Sequence, residues 1–72
     1  MKIELLAPVT GLLFTKNFNN GDTIQVGDDI GSVESMKMIF PIITDTAGVI
    51  TYYVSEQELI QEGEAMACIE LT

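Results

Sequence analysis

The sequence contains no histidine and one cysteine, Cys68. Without histidine there is no His-based triad, and a single thiol makes neither a Cys/His zinc set nor an internal disulfide. No glycine loop of phosphate-cradling spacing leads into a helix, and no clustered serine nucleophile motif is present. Carboxylates are plentiful but scattered over expected turns, without a recognisable pair. A chain of 72 residues also has little room for a substrate cleft. Autonomous catalysis is not expected.

Positive charge is equally scarce. Three lysines and arginines stand against eleven acidic residues, a formal charge of −8. Such a surface repels phosphate backbones and anionic headgroups, so neither nucleic acid nor a membrane surface is an expected partner. No apolar run approaches the roughly 18 residues of a membrane span. The start, Met1-Lys2-Ile3-Glu4, lacks the cationic, apolar and small-residue regions of a secretory signal. A lone cysteine fits a reducing compartment, and the cytoplasm is the expected location.

With 47% hydrophobic and 19% charged residues, the chain is no disordered tail. Its length suits one small domain, residues 1–72, with a thin core: a domain this size buries only about 60% of its unfolded surface.

Turn residues divide the chain into short β segments. Strands are expected over residues 3–7, 12–15, 23–26, 30–36, 39–44, 49–54, 59–60 and 65–71, with Lys37 between the fourth and fifth. Many short strands at regular spacing indicate an all-β sandwich or barrel. Ser55-Glu56-Gln57-Glu58 competes with this reading, because it has the form of a helix capping box.

An internal repeat decides for β. Gly27-Asp28-Asp29-Ile30-Gly31-Ser32-Val33-Glu34 aligns with Gly63-Glu64-Ala65-Met66-Ala67-Cys68-Ile69-Glu70, and Gly21-Asp22-Thr23-Ile24 with Gln57-Glu58-Leu59-Ile60. With one residue dropped, Gly11-Leu12-Leu13 falls on Gly48-Val49-Ile50. Since Asn19-Asn20-Gly21-Asp22 reads as a turn, so does its counterpart. Neither half can bury a hydrophobic face alone, so the two pack together around a pseudo-two-fold axis. That axis carries the Lys37 hairpin away from the chain ends.

Glu34-Ser35-Met36-Lys37-Met38-Ile39 is the informative stretch. The plain reading is a surface lysine on a turn, with Met36 and Met38 filling the edge of the core. Yet methionine is an unusual choice for a tight turn, where Asn or Gly is favoured. The spacing of Ile30, Val33 and Met36 breaks strand alternation and suggests a bulge approaching the hairpin. Phe14, Tyr52 and Tyr53 are expected to cover the core, and Cys68 to be a packed, inert thiol.

Met-Lys-Met preceded by Glu and a small residue, midway between two similar β halves, resembles the biotinyl attachment domain of biotin-dependent carboxylases. The resemblance extends to Ala7-Pro8-Val9-Thr10-Gly11, Gly27-Asp28, Ala47-Gly48-Val49 and Gly63-Glu64. It implies a flattened barrel-sandwich of two four-stranded antiparallel sheets with the modified lysine at a hairpin tip. Lys37 would be that lysine. A biotin protein ligase would make biotinyl-adenylate, and the Lys37 amine would attack it to form an amide. Met36 and Met38 would frame the lysine for the ligase, with Ser35 beside them. Glu34 would exclude wrong modifying enzymes or fix the turn; a solvated strand-end carboxylate is its other reading. The attached biotin would carry a carboxyl group from a biotin carboxylase to a carboxyltransferase, for an acceptor such as an acyl-CoA. The chain itself would be a monomeric, non-catalytic carrier, either a free subunit or a domain of a larger protein.

The pattern departs from that family in places. Ser35 stands where alanine is most usual, Ile39 where an acidic residue is frequent, and Asp45-Thr46 where Ala-Pro is frequent. No insertion resembles the thumb of some bacterial acetyl-CoA carboxylase carriers. Two rival readings share the fold. One is a lipoyl domain of a 2-oxo-acid dehydrogenase complex, whose hairpin usually reads Asp-Lys-Ala. The other is an unmodified barrel-sandwich adaptor, which needs no hairpin lysine.

Overall fold

All eight expected strands are present in the computed structural model, which describes residues 1–71; Thr72, the end of the expected domain, lies outside them. They are β1 (Lys2–Leu6), β2 (Gly11–Lys16), β3 (Thr23–Ile24), β4 (Asp29–Ser35), β5 (Met38–Ile43), β6 (Gly48–Tyr52), β7 (Leu59–Ile60) and β8 (Ala65–Glu70). Two antiparallel four-stranded sheets result, ordered β1-β8-β6-β3 and β5-β4-β2-β7. Residues 55–58 form a turn, not a helix.

The repeat is a spatial two-fold. Adding 36 or 37 to a residue number carries β1 to β4 onto β5 to β8, and one sheet order onto the other. Backbone hydrogen bonds obey the same exchange. Leu13 donates its N–H to the Glu58 carbonyl at 3.0 Å, and Ile50 donates to Asp22 at 3.0 Å. Gly63 donates to Ala7 at 2.9 Å, and Gly27 to Thr44 at 2.8 Å. The core follows too. The fully buried side chains Leu13 and Ile50, Ile24 and Ile60, Ile30 and Met66, and Val33 and Ile69 are four exchanged pairs. Burying each stabilises the fold by about 1.5–3 kcal/mol.

Four turns use one device, a carboxylate three residues on that accepts the first residue's N–H. The donors are Asn19 to Asp22 (2.7 Å), Gln25 to Asp28 (2.8 Å), Ser55 to Glu58 (2.9 Å) and Gln61 to Glu64 (2.9 Å). The capping-box spacing at Ser55 is therefore real, but it closes a β-turn. A helix would need continuing intrahelical bonds, and here the Gln57 N–H goes to the Leu13 carbonyl of β2 instead.

Several expectations are corrected. Val26 lies outside β3, and Ala7, Thr44, Tyr53, Val54 and Leu71 lie just beyond their strands. Ala7 and Thr44 are still buried and donate to the turn carbonyls of Glu64 and Asp28, which draws them off the ladder. The register shift in β4 falls between Asp29 and Gly31, at the end remote from Lys37, and pairing runs unbroken from Gly31 to Ser35. Met36 is in the turn, not in the core. Of the three aromatics, Tyr52 packs on the core, while Phe14 and Tyr53 face solvent. Phe14 follows the buried Leu13, and strand alternation sets it, like Leu12, on the outer face. Cys68 is buried, as expected.

Candidate functional site

β4 and β5 pair from Asp29↔Ile43 to Ser35↔Met38, so the connection is the two residues Met36 and Lys37. A two-residue hairpin matches the twist of its strands only with positive φ at both central positions, the type I′ turn. Met36 has φ 50° and Lys37 has φ 66°. Neither is glycine, asparagine or aspartate, so the tip stores strain of about 1–2 kcal/mol per residue. Strain of this kind persists where the surroundings over-determine it, and it clusters at functional sites. The six-residue pairing of β4 with β5 supplies that constraint.

The tip presents its side chains to solvent. Met36 is 92% exposed and Met38 60%, which rules out the core-filler reading for both. Lys37 is exposed as well, and its amine takes part in no ion pair or hydrogen bond among the described residues. The other two lysines differ. Lys16 lies over the Tyr52 ring, 5.1 Å from its centre, and Lys2 faces Glu70 across the ladder. Ser35 is half-buried opposite Met38. Glu34 is exposed, and among the described residues its carboxylate makes no hydrogen bond or ion pair. It does not fix the turn.

Position follows from the two-fold. The axis exchanges the tip with the pair of chain ends, where the Met1 ammonium lies 3.6 Å from Glu70 Oε1 and Leu71 donates to the Met1 carbonyl. From the tip, β5 runs six residues before the chain turns to Gly48, which packs against Glu70. At about 3.3 Å per residue, that strand holds tip and chain ends about 20 Å apart. The molecule is correspondingly elongated, 36 × 18 × 18 Å.

The site is thus a convex crest with one free primary amine. It suits a group attached covalently and offered to another protein: the lysine stem is long, and its amine has no competing partner to leave. Sequence reading singled out Glu34, Ser35, Met36, Lys37 and Met38; strand pairing adds what it missed, Leu12 beside Glu34 and Leu59 beside Leu12. The signal was available in the alternation of β2 and β7, once their register is known.

Comparisons with known proteins agree with this geometry. The family model described as "Biotin-requiring enzyme" matches residues 3–69. The "Biotinylated protein TB7.3 homolog" of Mycobacterium leprae is 33% identical over 70 residues, covering 96% of this chain and 93% of that protein. The "Biotin/lipoyl attachment protein" of Bacillus subtilis is 29% identical over 59 residues, covering 81% of each chain. Among solved structures, the urea carboxylase of Kluyveromyces lactis contains a region of the same fold, with a TM-score of 0.88 at 20% identity. The match covers 97% of this chain but only 6% of that one.

Proposed function

The chain belongs to the biotin-requiring enzyme family, and on that premise we propose that it is a biotin carboxyl carrier domain with biotin held as an amide on Lys37. One observation carries the reading: Lys37 stands at the crest of a strained, exposed hairpin, with an amine that meets no partner among the described residues. The relative named as a biotinylated protein supports the choice of group.

The division of labour follows from the geometry. Within the ligase's active site, Nζ of Lys37 would attack the acyl carbon of biotinyl-adenylate; the amide C–N bond forms as the acyl–phosphate C–O bond breaks, AMP leaves and Nζ gives up a proton. Met36 and Met38 flank it as flexible, polarizable surfaces that can mould to an enzyme pocket. The positive φ values at Met36 and Lys37 throw the lysine stem outward, which lets a partner enclose it without meeting the barrel. Biotin, when attached, supplies the capacity to carry a carboxyl group. The barrel then acts as a rigid, acidic handle that presents this group to a biotin carboxylase and to a carboxyltransferase in turn. Tethering raises the local concentration at each site without tight docking. The handle does no chemistry of its own, and its lone cysteine suits work in the reducing cytoplasm.

Co-expression with a biotin protein ligase, followed by intact-mass measurement, tests the assignment. Wild type should gain the mass of one biotin, and Lys37→Arg none. A wild-type chain that ignores this ligase but is loaded by a lipoate ligase would replace the reading with the lipoyl carrier. A chain modified by neither would leave the structural adaptor.

A further inference from the structure

The two-fold provides an internal control for surface composition. Residues directly opposite one another in a ladder share a face. On the second sheet, Leu59, Leu12, Glu34 and Ile39 form one cross-strand row. All four point outward, since their strand neighbours Ile60, Leu13 and Val33 are fully buried. On the first sheet the exchanged row is Thr23, Val49, Glu70 and Lys2. The two carboxylates coincide, but their surroundings do not. Glu70 lies between Val49 and a lysine and pairs with the Met1 ammonium. Glu34 lies between leucine and isoleucine, with no cation. Leu59 is 63% exposed, Ile39 48% and Leu12 37%, and exposed Phe14 extends the patch along β2. One fold position has thus been filled twice, once for solvent and once with exposed apolar side chains. The fold does not demand it, because the same place in the other half holds Thr23 and Lys2 where this row holds Leu59 and Ile39.

We propose that this outer face of the β5-β4-β2-β7 sheet is a docking surface for the biotin carboxylase that works on the group carried at Lys37, and that the carboxylase meets Glu34 with a basic side chain set in an apolar strip. The proposal rests on the carrier reading. Continuity with the tip singles out an enzyme that encloses Lys37: Ile39 adjoins Met38 and Glu34 adjoins Ser35, so such an enzyme reaches this face first. Charge excludes a second copy, which at −8 would set Glu34 against an equally acidic surface. Four apolar side chains are too few for a permanent interface, and a brief contact suits a partner met at every turnover rather than once, as a ligase is; the carboxyltransferase, also met at every turnover, is separated by the test. The lone carboxylate fixes the register of that contact.

The test uses the full chain, biotinylated and verified by intact mass. Isotope-labelled wild type is titrated with biotin carboxylase while its amide resonances are followed. Those of Leu12, Glu34, Ile39 and Leu59 should move, and those of Val49, Glu70, Lys2 and Thr23 should not. The double variant Leu59→Thr/Ile39→Lys takes the residues that the other half already carries, so its fold is protected. Its KM as substrate for the carboxylase should rise about tenfold. The reciprocal variant Lys2→Ile/Thr23→Leu should match wild type. Shifts confined to the tip, an unchanged KM in the double variant, shifts caused by the ligase alone or by a carboxyltransferase in place of biotin carboxylase, or concentration-dependent shifts of the chain by itself would each overturn the proposal. A chain that takes up no biotin would overturn the carrier reading and this surface with it; a biotinylated chain with an indifferent face would overturn the surface alone.

Discussion

Gly11 and Glu34 meet backbone to backbone: the space where a Cβ on Gly11 would lie is filled by the carbonyl oxygen of Glu34. Gly48 and Glu70 repeat the contact at the other end of the two-fold. The obstacle is main chain, so nothing flexible can give way. Gly11→Ala should therefore cost about 1–3 kcal/mol and lower Tm by roughly 4–8 °C per kcal/mol. Thermal unfolding followed by circular dichroism measures this, and a Tm equal to wild type would mean that β2 can retreat from the hairpin base.

The tip should be stabilised by the turn residue it lacks. Asparagine tolerates the left-handed region far better than methionine, so Met36→Asn should raise stability by about 0.5–1 kcal/mol. The same variant should take up biotin more slowly in a ligase time course, because the flexible thioether is gone. A variant that is more stable and modified at the wild-type rate would remove Met36 from recognition.

Gln57 tests strain where no function is assigned. Three of the four carboxylate-closed turns hold glycine at the third position, with φ 95°, 93° and 85°, and the fourth holds Gln57 at φ 71°. Gln57→Gly removes a left-handed penalty of about 1–2 kcal/mol and adds about 0.5–1 kcal/mol of chain entropy. A net gain of about 0.5–1 kcal/mol follows, readable from urea midpoints at unchanged slope. Biotin uptake should stay as in wild type.

Alkaline pH should loosen the barrel at Tyr52. Its hydroxyl donates to the Ile30 carbonyl at 2.6 Å, and burial, foremost, raises its pKa above the ordinary value of 10.0. Tyr53 moves the same way, to about 12, beside the Cys68 thiol and the Glu4 carboxylate, to which its hydroxyl donates at 3.2 Å. A folded-state pKa above the unfolded one means stability that is intact below pH 10 and lost as pH rises beyond it. Tm against pH should bend downward there. In Tyr52→Phe the bend should be shallower, from a starting stability about 1 kcal/mol lower for the lost hydrogen bond. An identical bend would assign the alkaline loss elsewhere.

Much of this molecule is written in its sequence. The repeat of Gly27–Glu34 in Gly63–Glu70 already requires two similar halves around one core, because neither half can bury its apolar face alone. It also settles residues 55–58 as a turn against the local capping signal, since the partner turn at residues 19–22 shares the same place in the fold. Lys37 between Met36 and Met38 stands out because lysine is rare in this chain and methionine is rare in tight turns.

Tertiary structure decided what depends on register. A one-residue difference in pairing moves a side chain from core to solvent, so the sequence could not place Met36, Phe14 or Tyr53 on their faces. The register shifts at Leu13/Thr15 and Asp29/Gly31 move that alternation locally. The positive φ of Met36 and Lys37 is likewise imposed by the β4–β5 ladder on residues that would not choose it. Chain composition named the lysine; strand pairing raised it to the crest and set Leu12, Leu59 and Ile39 beside Glu34, because only paired strands bring residues so far apart in sequence onto one face.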